Sequence, residues 1–338
     1  MMKQELHPVF GTAFVVSLML ATSALAQSGP SSDCAKASNE VELAICATPQ
    51  LAAAGREMAT VYGALVGKLS GPAKDHLVKD QQHWLAIRSD ACVGTKDQVI
   101  RCLERHDRAR TNNLRVFGDG VYPFISEEAL VKTGKVGKIS YAIDATWPRF
   151  DGTTADFSAL NRSYAETTAK AAGEVIPPDI SAGELRGEQL WPYIQTFELQ
   201  RPAANAIAVA MTSYAFSGGA HGYGGTSAQL VDLRTGRKAE LSDVFGPGDA
   251  WLQTLVPLVR GELKKQFTDD RPGFDDAIEP AALTKLLRDP SIYYFVDERL
   301  VLIFNPYAVG PYVSGTFKVS IPYATLRPLF AANGPLGR

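Results

Sequence analysis

The chain has 338 residues, a formal net charge of −2 and ordinary globular composition, with 46% hydrophobic and 21% charged residues. The near-neutral charge argues against nucleic-acid binding, which usually shows a basic excess. No stretch beyond the N-terminus is long and apolar enough to predict a membrane span. The length predicts two domains.

The first 26 residues have the pattern of a signal peptide. Lys3 precedes an apolar run from Val9 to Leu20, and Ala24-Leu25-Ala26 supplies the small-x-small pattern that signal peptidase cleaves. The run is shorter than the about 20 residues that cross a bilayer. We therefore expect cleavage near Ala26 and export to the bacterial periplasm.

All four cysteines lie in one third of the chain, at Cys34, Cys46, Cys92 and Cys102. An even, clustered set in an exported protein predicts two disulfides. No C-x2-C pair is present, so the cysteines do not predict a zinc site, and we expect no cofactor.

Start and stop signals predict an all-α region over residues 33–115. Thr48-Pro49 is typical of a helix start, and Ser70-Gly71-Pro72 ends one helix and begins the next. A break near Gly94 precedes a last predicted helix over residues 97–114. We expect a helical hairpin stapled by the disulfides.

The hairpin geometry suggests a pairing for the cysteines, because facing residues of an antiparallel hairpin have a nearly constant sum of residue numbers. Cys46 with Cys92 gives 138 and Cys34 with Cys102 gives 136, whereas the crossed pairs give 126 and 148. This favours nested bridges. The local pairs Cys34–Cys46 and Cys92–Cys102 remain the alternative.

Several strings of this region resemble the LprI-type lysozyme-inhibitor module: Asp33 to Ala37, Glu42 to Cys46, Gln81 to Cys92, and Cys102-Leu103. The resemblance covers about residues 33–115 and includes all four cysteines. It implies a secreted helical domain, some members of which inhibit lysozyme.

The charge of residues 34–115 bears on that implication. They contain 12 Lys and Arg against 9 Asp and Glu, a balance of +3. Many lysozymes are strongly cationic, so an acidic surface would attract them better. Trp84 and Arg88, one helical turn apart, are interpreted as a core anchor and a solvated rim residue.

After a predicted linker over residues 116–133, residues 134–332 show a different pattern. Segments of strand-like alternation and of helical spacing follow one another and predict an α+β domain with an antiparallel sheet and flanking helices. The predicted strands are 138–147, 193–199, 206–216, a segment ending at 233, 292–296, 300–305 and 315–321. The predicted helices are 157–172, 250–267 and a short one within 322–330.

Several short motifs of this region occur in a recognisable order, among them Ser217-Gly218-Gly219-Ala220-His221, Val231 to Gly236 and Phe304 to Tyr312. The series resembles a bacterial extracytoplasmic module marked by a Gly-Gly-Ala-His loop. It is similar to the outer domain of a lysozyme-sensing anti-sigma factor and to modules attached to peptidoglycan deacetylases. Both resemblances point to lysozyme or to the cell wall.

His221 is the one histidine after residue 134 and therefore a candidate binding residue. No further His or Cys accompanies it as a metal ligand, and no G-x-S-x-G motif surrounds Ser217. Tyr307, Pro311 and Tyr312 form an aromatic, proline-stiffened loop whose residue types are good interface anchors. They also occur as structural residues at sheet edges, and that interpretation stays open.

Carboxylates surround Arg271, at Asp269, Asp270, Asp275, Asp276 and Glu279, giving a balance of −4 over 11 residues. The segment is interpreted either as a solvated loop or as a docking surface for a cationic partner.

The leading functional hypothesis is a non-enzymatic periplasmic binder of lysozyme or another wall-active protein, with no catalytic residue expected. The alternative is a peptidoglycan-modifying enzyme, or its accessory module, that uses His221. A structural envelope protein is the third possibility.

Overall fold

The computed structural model describes residues 37, 40–117, 124–152, 154–178 and 187–337. The predicted signal peptide and Cys34 lie outside the described residues. Among the helices that are described, none combines the length and apolar character that crossing a membrane requires.

Helices and strands follow one another along the chain in two blocks, a helical one and then a mixed one. The helices are α1 Glu40–Ala47, α2 Pro49–Lys68, α3 Gly71–Ala91, α4 Lys96–Phe117, α5 Ser158–Gly173, α6 Leu241–Phe245, α7 Ala250–Gln266, α8 Pro280–Leu286 and α9 Tyr323–Leu326. The strands are β1 Phe124–Val136, β2 Ile139–Asp151, β3 Gln189–Ala203, β4 Ala206–Ala215, β5 Tyr223–Asp232, β6 Arg237–Lys238, β7 Tyr293–Val296, β8 Arg299–Phe304 and β9 Phe317–Pro322.

The helical region begins its helices where the sequence predicted them. α2 and α3 both carry proline in the first turn, where its missing N–H and fixed φ suit a helix start. α2 packs mainly against α4 rather than against α3. One buried core contains Met58 and Leu65 of α2, Trp84 of α3 and Leu114 of α4.

The nested disulfide prediction is wrong, because Cys92 is bonded to Cys102 with a Cα–Cα distance of 5.4 Å. These residues flank the short turn between α3 and α4, so they meet locally. The constant-sum argument paired α2 with α3, whereas the extensive packing is between α2 and α4. Cys46 is also disulfide-bonded, and Cys34, its partner in the local alternative, lies outside the described residues.

The larger sheet has six strands in the order β1-β2-β3-β4-β5-β6. The prediction of a purely antiparallel sheet is wrong, because β2 and β3 are parallel while the other neighbouring strands are antiparallel. Helix α5 connects β2 to β3 and packs on β2, which is the crossover that a parallel pair requires.

The prediction of a linker over residues 116–133 is also wrong, because much of this segment belongs to a helix and a strand. Helix α4 continues to Phe117, and from Phe124 onward the chain is strand β1. This strand pairs with β2 along its whole length, from Phe124 with Asp151 to Val136 with Ile139. Its outer half is largely exposed and carries lysines, so it lacks the alternation by which the sequence analysis identified strands.

A second sheet of three antiparallel strands, β7-β8-β9, follows the predicted positions closely. Its buried side chains join those of α7 and of one face of the larger sheet in one core. That core includes Leu255, Val259, Phe295, Leu302 and Phe317. One mixed and one antiparallel sheet with flanking helices confirm the coarse α+β prediction, although the sequence did not predict α8.

The helical region lies directly on the larger sheet, with α3 against β1 and α4 against β3. The buried amide of Asn113 donates to the carbonyl of Phe197 and accepts from the N–H of Leu199, at 3.3 and 3.0 Å. The division into two domains stays a prediction, and buried polar contacts cross the predicted boundary.

Candidate functional site

His221 lies in the loop between β4 and β5. Two glycines before it have positive φ, 93° at Gly218 and 91° at Gly219, in the region that residues with a Cβ rarely adopt. The glycines therefore turn the chain sharply and place the histidine on the surface.

The imidazole of His221 is held by three contacts. Its ring stacks on that of Tyr312, with centroids 4.1 Å apart and an interplanar angle of 23°. Nδ1 lies 2.8 Å from the carbonyl oxygen of Gly222, which can only accept, so Nδ1 carries the proton. The hydroxyl of Tyr312 donates to the same carbonyl at 2.9 Å. The hydroxyl of Tyr307 lies 3.5 Å from Nε2, where a lone pair remains.

Tyr307 occupies an unusual backbone position. The N–H of Ala308 bonds the carbonyl of Asn305 at 3.0 Å, with Pro306 second and Tyr307 third in the turn. The φ of Tyr307 is +72°, as in a type II turn, where glycine is preferred at the third position. A tyrosine there costs on the order of 1 kcal/mol or more, and such strain tends to occur at functional sites.

Asn305 anchors this loop to β5. Its side-chain oxygen accepts from the N–H of Thr226 and its nitrogen donates to the carbonyl of Thr226, both at 2.9 Å. A Cβ at Gly225 would lie only 3.1–3.3 Å from the Asn305 amide, so glycine leaves the space that the amide occupies.

The loops together form what we call the aromatic face, defined by His221, Tyr307, Pro311, Tyr312 and Val313. The structure brings all four predicted binding residues together, although His221 and Tyr307 are 86 positions apart. Val313, which the sequence analysis missed, is 84% exposed, and Tyr307 is 53% exposed. The position of Val313 directly after the Pro-Tyr pair was the one available signal.

The carboxylates around Arg271 lie beside the aromatic face. The N–H of Phe274 bonds the carbonyl of Val309 at 2.8 Å, and the hydroxyl of Ser314 donates to the carbonyl of Pro272 at 2.7 Å. We call the exposed carboxylates of this segment, Asp269, Asp270, Asp275 and Asp276, the acidic segment.

Arg271 does not neutralise the acidic segment. Its guanidinium donates to the carbonyls of Ser314 and Thr316, at 3.1 and 2.8 Å, and lies 4.0 Å from the ring centroid of Phe317. Across the described chain, none of the salt bridges involves an acid of this segment. The segment therefore presents uncompensated negative charge, which favours a cationic partner.

A second group of ionisable residues is buried between the helical region and the sheet. Asp144 of β2 contacts Arg105 and, at 3.1 Å, Nε2 of His106, both on α4. Burial alone would raise the pKa of Asp144, but the contacts with His106 and Arg105 hold it below its usual value. The carboxylate therefore joins α4 to the sheet in its ionised form.

Two further buried ion pairs lie within the helical region. Arg88 pairs with Asp107 at 2.8 Å, and Arg110 pairs with Asp80 at 2.7 Å. The guanidinium carbons of Arg88 and Arg110 lie 4.8 and 5.6 Å from the ring centroid of Trp84. The core role of Trp84 is confirmed, but the prediction of Arg88 as a solvated rim residue is wrong, since it is buried by this pair.

Glu127 of β1 lies in the same junction and is only 3% exposed. Its backbone N–H donates to Asp80 at 3.0 Å. Burial raises the pKa of its carboxyl from 4.5 to about 7, against the opposing effects of His106 and Arg110. No pattern in the sequence marks this group, because most of strand β1 lies in the segment that was predicted as a linker.

Candidate metal ligands and a candidate catalytic histidine both lie in the described part of the chain. The one grouping of candidate metal ligands found there is Cys92, Cys102 and His106, and its two sulfur atoms are bonded to each other. His221 has its Nδ1–H on a backbone carbonyl, where a catalytic histidine usually has an orienting carboxylate. The aromatic face thus presents exposed aromatic and aliphatic side chains around a histidine that is held by a backbone carbonyl.

Comparison with known proteins identifies two regions of the chain. Residues 31–114 match the family described as Lysozyme inhibitor LprI, which confirms the N-terminal resemblance. Residues 242–324 match DUF3298, described as a protein of unknown function. No curated protein matches the chain. The similarity to the anti-sigma factor and to the deacetylase modules stays a prediction.

Two solved structures resemble the chain at low identity. One is the crystal structure of a DUF3298 family protein from Pseudomonas aeruginosa PAO1, with 20% identity, a TM-score of 0.43, and coverage of 64% of this chain and 97% of that one. The other is a member of the same family from Bacteroides fragilis NCTC 9343, with 15% identity, a TM-score of 0.42, and coverage of 63% and 96%.

Proposed function

We propose that the chain is a periplasmic, non-catalytic binder of lysozyme or of a related wall-active protein, because residues 31–114 match the lysozyme-inhibitor family LprI. The observation that carries the proposal is the aromatic face with the acidic segment beside it. Exposed tyrosine and valine side chains supply apolar contact area, and the neighbouring carboxylates attract a cationic partner.

The aromatic face is favoured over the helical region as the binding surface. Helices α3 and α4 pack against the sheet, and Arg88 and Arg110 are committed to buried ion pairs. The helical region also has a balance of +3, whereas an acidic surface attracts a cationic enzyme better. Leu43 and Val93, both more than half exposed, mark the alternative surface on that region.

A matched pair of variants distinguishes the two surfaces. Val313→Asp places a charge in the aromatic face, and Val93→Asp places the same charge on the helical region, where Val93 is 55% exposed. Mature protein should inhibit or bind lysozyme in a titrated activity assay. We expect Val313→Asp to weaken the effect about tenfold or more and Val93→Asp to leave it nearly unchanged.

The reverse result would transfer the binding surface to the helical region. Absence of both inhibition and binding at micromolar protein, against several lysozyme classes, would overturn the proposed function itself.

The acidic segment gives an independent test. Asp269→Asn with Asp270→Asn removes two charges at the tip of the turn formed by Thr268 and Arg271. We expect a slower association rate and a weaker dependence of that rate on salt. Asp90→Asn with Glu104→Gln, which removes two exposed charges from the helical region, is the control. Equal effects of both double variants would refute a role for the acidic segment.

The alternative, a wall-modifying enzyme using His221, makes a different prediction. His221→Ala would abolish turnover of muropeptides by the purified protein if that histidine were catalytic. Under the binder proposal the unmodified protein shows no turnover, and the substitution weakens only lysozyme binding.

A further inference from the structure

An open groove lies on the larger sheet, away from the aromatic face. It has a volume of about 350 Å³ and is bordered by β1, β2 and the first turns of α5. Trp147 and Arg149 line it from β2, Glu128 from β1, and Asn161 and Arg162 from α5. None of these elements contributes to the aromatic face.

Trp147 supplies a flat apolar wall for this groove. The side chain packs against the buried core between α5 and the sheet, yet it is only partly buried and lines the groove. Trp147 and Glu128 are directly paired across β1 and β2, so their side chains lie side by side on one face. An indole next to a carboxylate suits a ligand with both apolar C–H surface and hydroxyl groups.

The charged groups of the groove differ in how they are engaged. Arg149 donates to Asp151 at 3.0 Å and lies 4.0 Å from Glu128. Arg162 is exposed and takes part in none of the ion pairs or side-chain hydrogen bonds found among the described residues. It lies near enough to the exposed Asp156 to help lower the pKa of that carboxyl, but it donates no hydrogen bond to it. Its guanidinium is therefore available to a ligand carboxylate, for which two parallel hydrogen bonds are the favoured geometry.

The position of Arg162 is fixed by its neighbour. The amide of Asn161 accepts from the N–H of Phe150 at 2.9 Å and donates to the carbonyl of Phe150 at 2.8 Å. These two hydrogen bonds to the end of β2 hold the first turns of α5 against the strand that carries Trp147 and Arg149. The groove is thus formed by rigid elements, which reduces the entropic cost of binding.

From this arrangement we propose that the groove binds a short saccharide bearing a carboxylate. The sugar ring stacks on Trp147, the carboxylate pairs with Arg162, and Glu128 accepts hydrogen bonds from sugar hydroxyls. The proposal does not depend on lysozyme binding, because the two surfaces share no residue.

The test uses two sugars that differ in one substituent, a lactyl ether on O3 that carries the carboxylate. N-acetylmuramic acid carries a lactyl carboxylate that N-acetylglucosamine lacks, and both are titrated into the full mature chain while amide chemical shifts are followed. We expect millimolar binding of the acidic sugar, about tenfold tighter than that of the neutral one, with shifts confined to the groove.

Two variants and a control complete the experiment. Arg162→Gln should remove the preference for the acidic sugar, and Trp147→Leu should weaken both sugars. Lys170→Gln removes an exposed charge from the same helix outside the groove and should change neither. If Trp147→Leu does not fold, Arg162→Gln still decides the matter, because Arg162 is exposed and forms no hydrogen bond or ion pair among the described residues.

Three results would overturn the proposal: no binding of either sugar at about 50 mM, equal affinity for both in the unmodified protein, or an undiminished preference in Arg162→Gln. None of these three results would bear on lysozyme binding or on its expected loss in Val313→Asp, so the two proposals can fail separately.

Discussion

Replacement of Glu127 by glutamine should stabilise the protein, and the gain should depend on pH. Glu127 is 3% exposed in the junction between α3, α4 and the sheet, near Asp80, His106 and Arg110. Its pKa rises from 4.5 to about 7 on folding, because burial penalises the ionised form. The folded protein therefore retains a proton that the unfolded chain has released.

The direction and the size of this stability change follow from proton linkage. Between pH 4.5 and 7 the folded state binds more protons than the unfolded state, so the free energy of unfolding falls as pH rises. At about 1.4 kcal/mol per pH unit, the loss amounts to about 3 kcal/mol and is complete above pH 7. Glutamine has nearly the same shape and no charge, so Glu127→Gln should avoid this loss.

Urea denaturation of both proteins at pH 5, 6, 7 and 8 measures the effect, because other titrating groups cancel in the difference. We expect the stability difference to be small at pH 5 and to reach roughly 3 kcal/mol at pH 8. Glu128→Gln, one residue along β1 with a half-exposed side chain, is the matched control and should change stability little. A destabilised Glu127→Gln at pH 8, or a difference independent of pH, would show that the carboxylate is ionised and stabilised by His106 and Arg110.

Three further substitutions test other parts of the structure. Tyr307→Gly should raise the free energy of unfolding by about 1 kcal/mol while weakening lysozyme binding; thermal denaturation with unchanged or lower stability would contradict the strain argument. Cys92→Ser with Cys102→Ser should cost about 2–3 kcal/mol, and non-reducing peptide mapping that fails to recover the Cys92–Cys102 peptide would contradict the observed bridge. Asn113→Ala should cost about 2–3 kcal/mol within one shared calorimetric transition, whereas two transitions of which only one moves would favour independently folding domains.

The helical region was largely predictable because helix start and stop signals are local features of the sequence. Thr48-Pro49 and Ser70-Gly71-Pro72 each mark a helix start through proline in the first turn, and the observed helices begin at Pro49 and Gly71. Which helix packs on which is a tertiary property, however. The disulfide prediction failed because it assumed that α2 faces α3.

The larger sheet shows what alternation alone misses. β1 pairs fully with β2, but its C-terminal half carries exposed Lys132, Thr133 and Lys135. Its sequence therefore resembles that of a polar loop. The parallel pairing of β2 with β3 did have a signal, since the predicted helix over residues 157–172 separates two predicted strands in the manner of a crossover.

The candidate site was predicted residue by residue but not as an assembly. His221, Tyr307 and Tyr312 were selected for their types and their loops, yet their stacking depends on the return of the chain after 86 residues. The buried junction of Glu127 with its ionised neighbours could not be predicted, because it requires knowing that the helices lie on the sheet.

The Asn305 amide also covers part of an open sheet edge. Within the described chain β6 pairs only with Val231 and Asp232, so most of the outer side of β5 lacks a neighbouring strand. Open backbone groups on such an edge invite strands of other molecules and lead to aggregation or domain swapping. Asn305 occupies both backbone groups of Thr226, as a pairing strand would. A single side chain thus interrupts the edge midway, so that an incoming strand would find no continuous row of open backbone groups there.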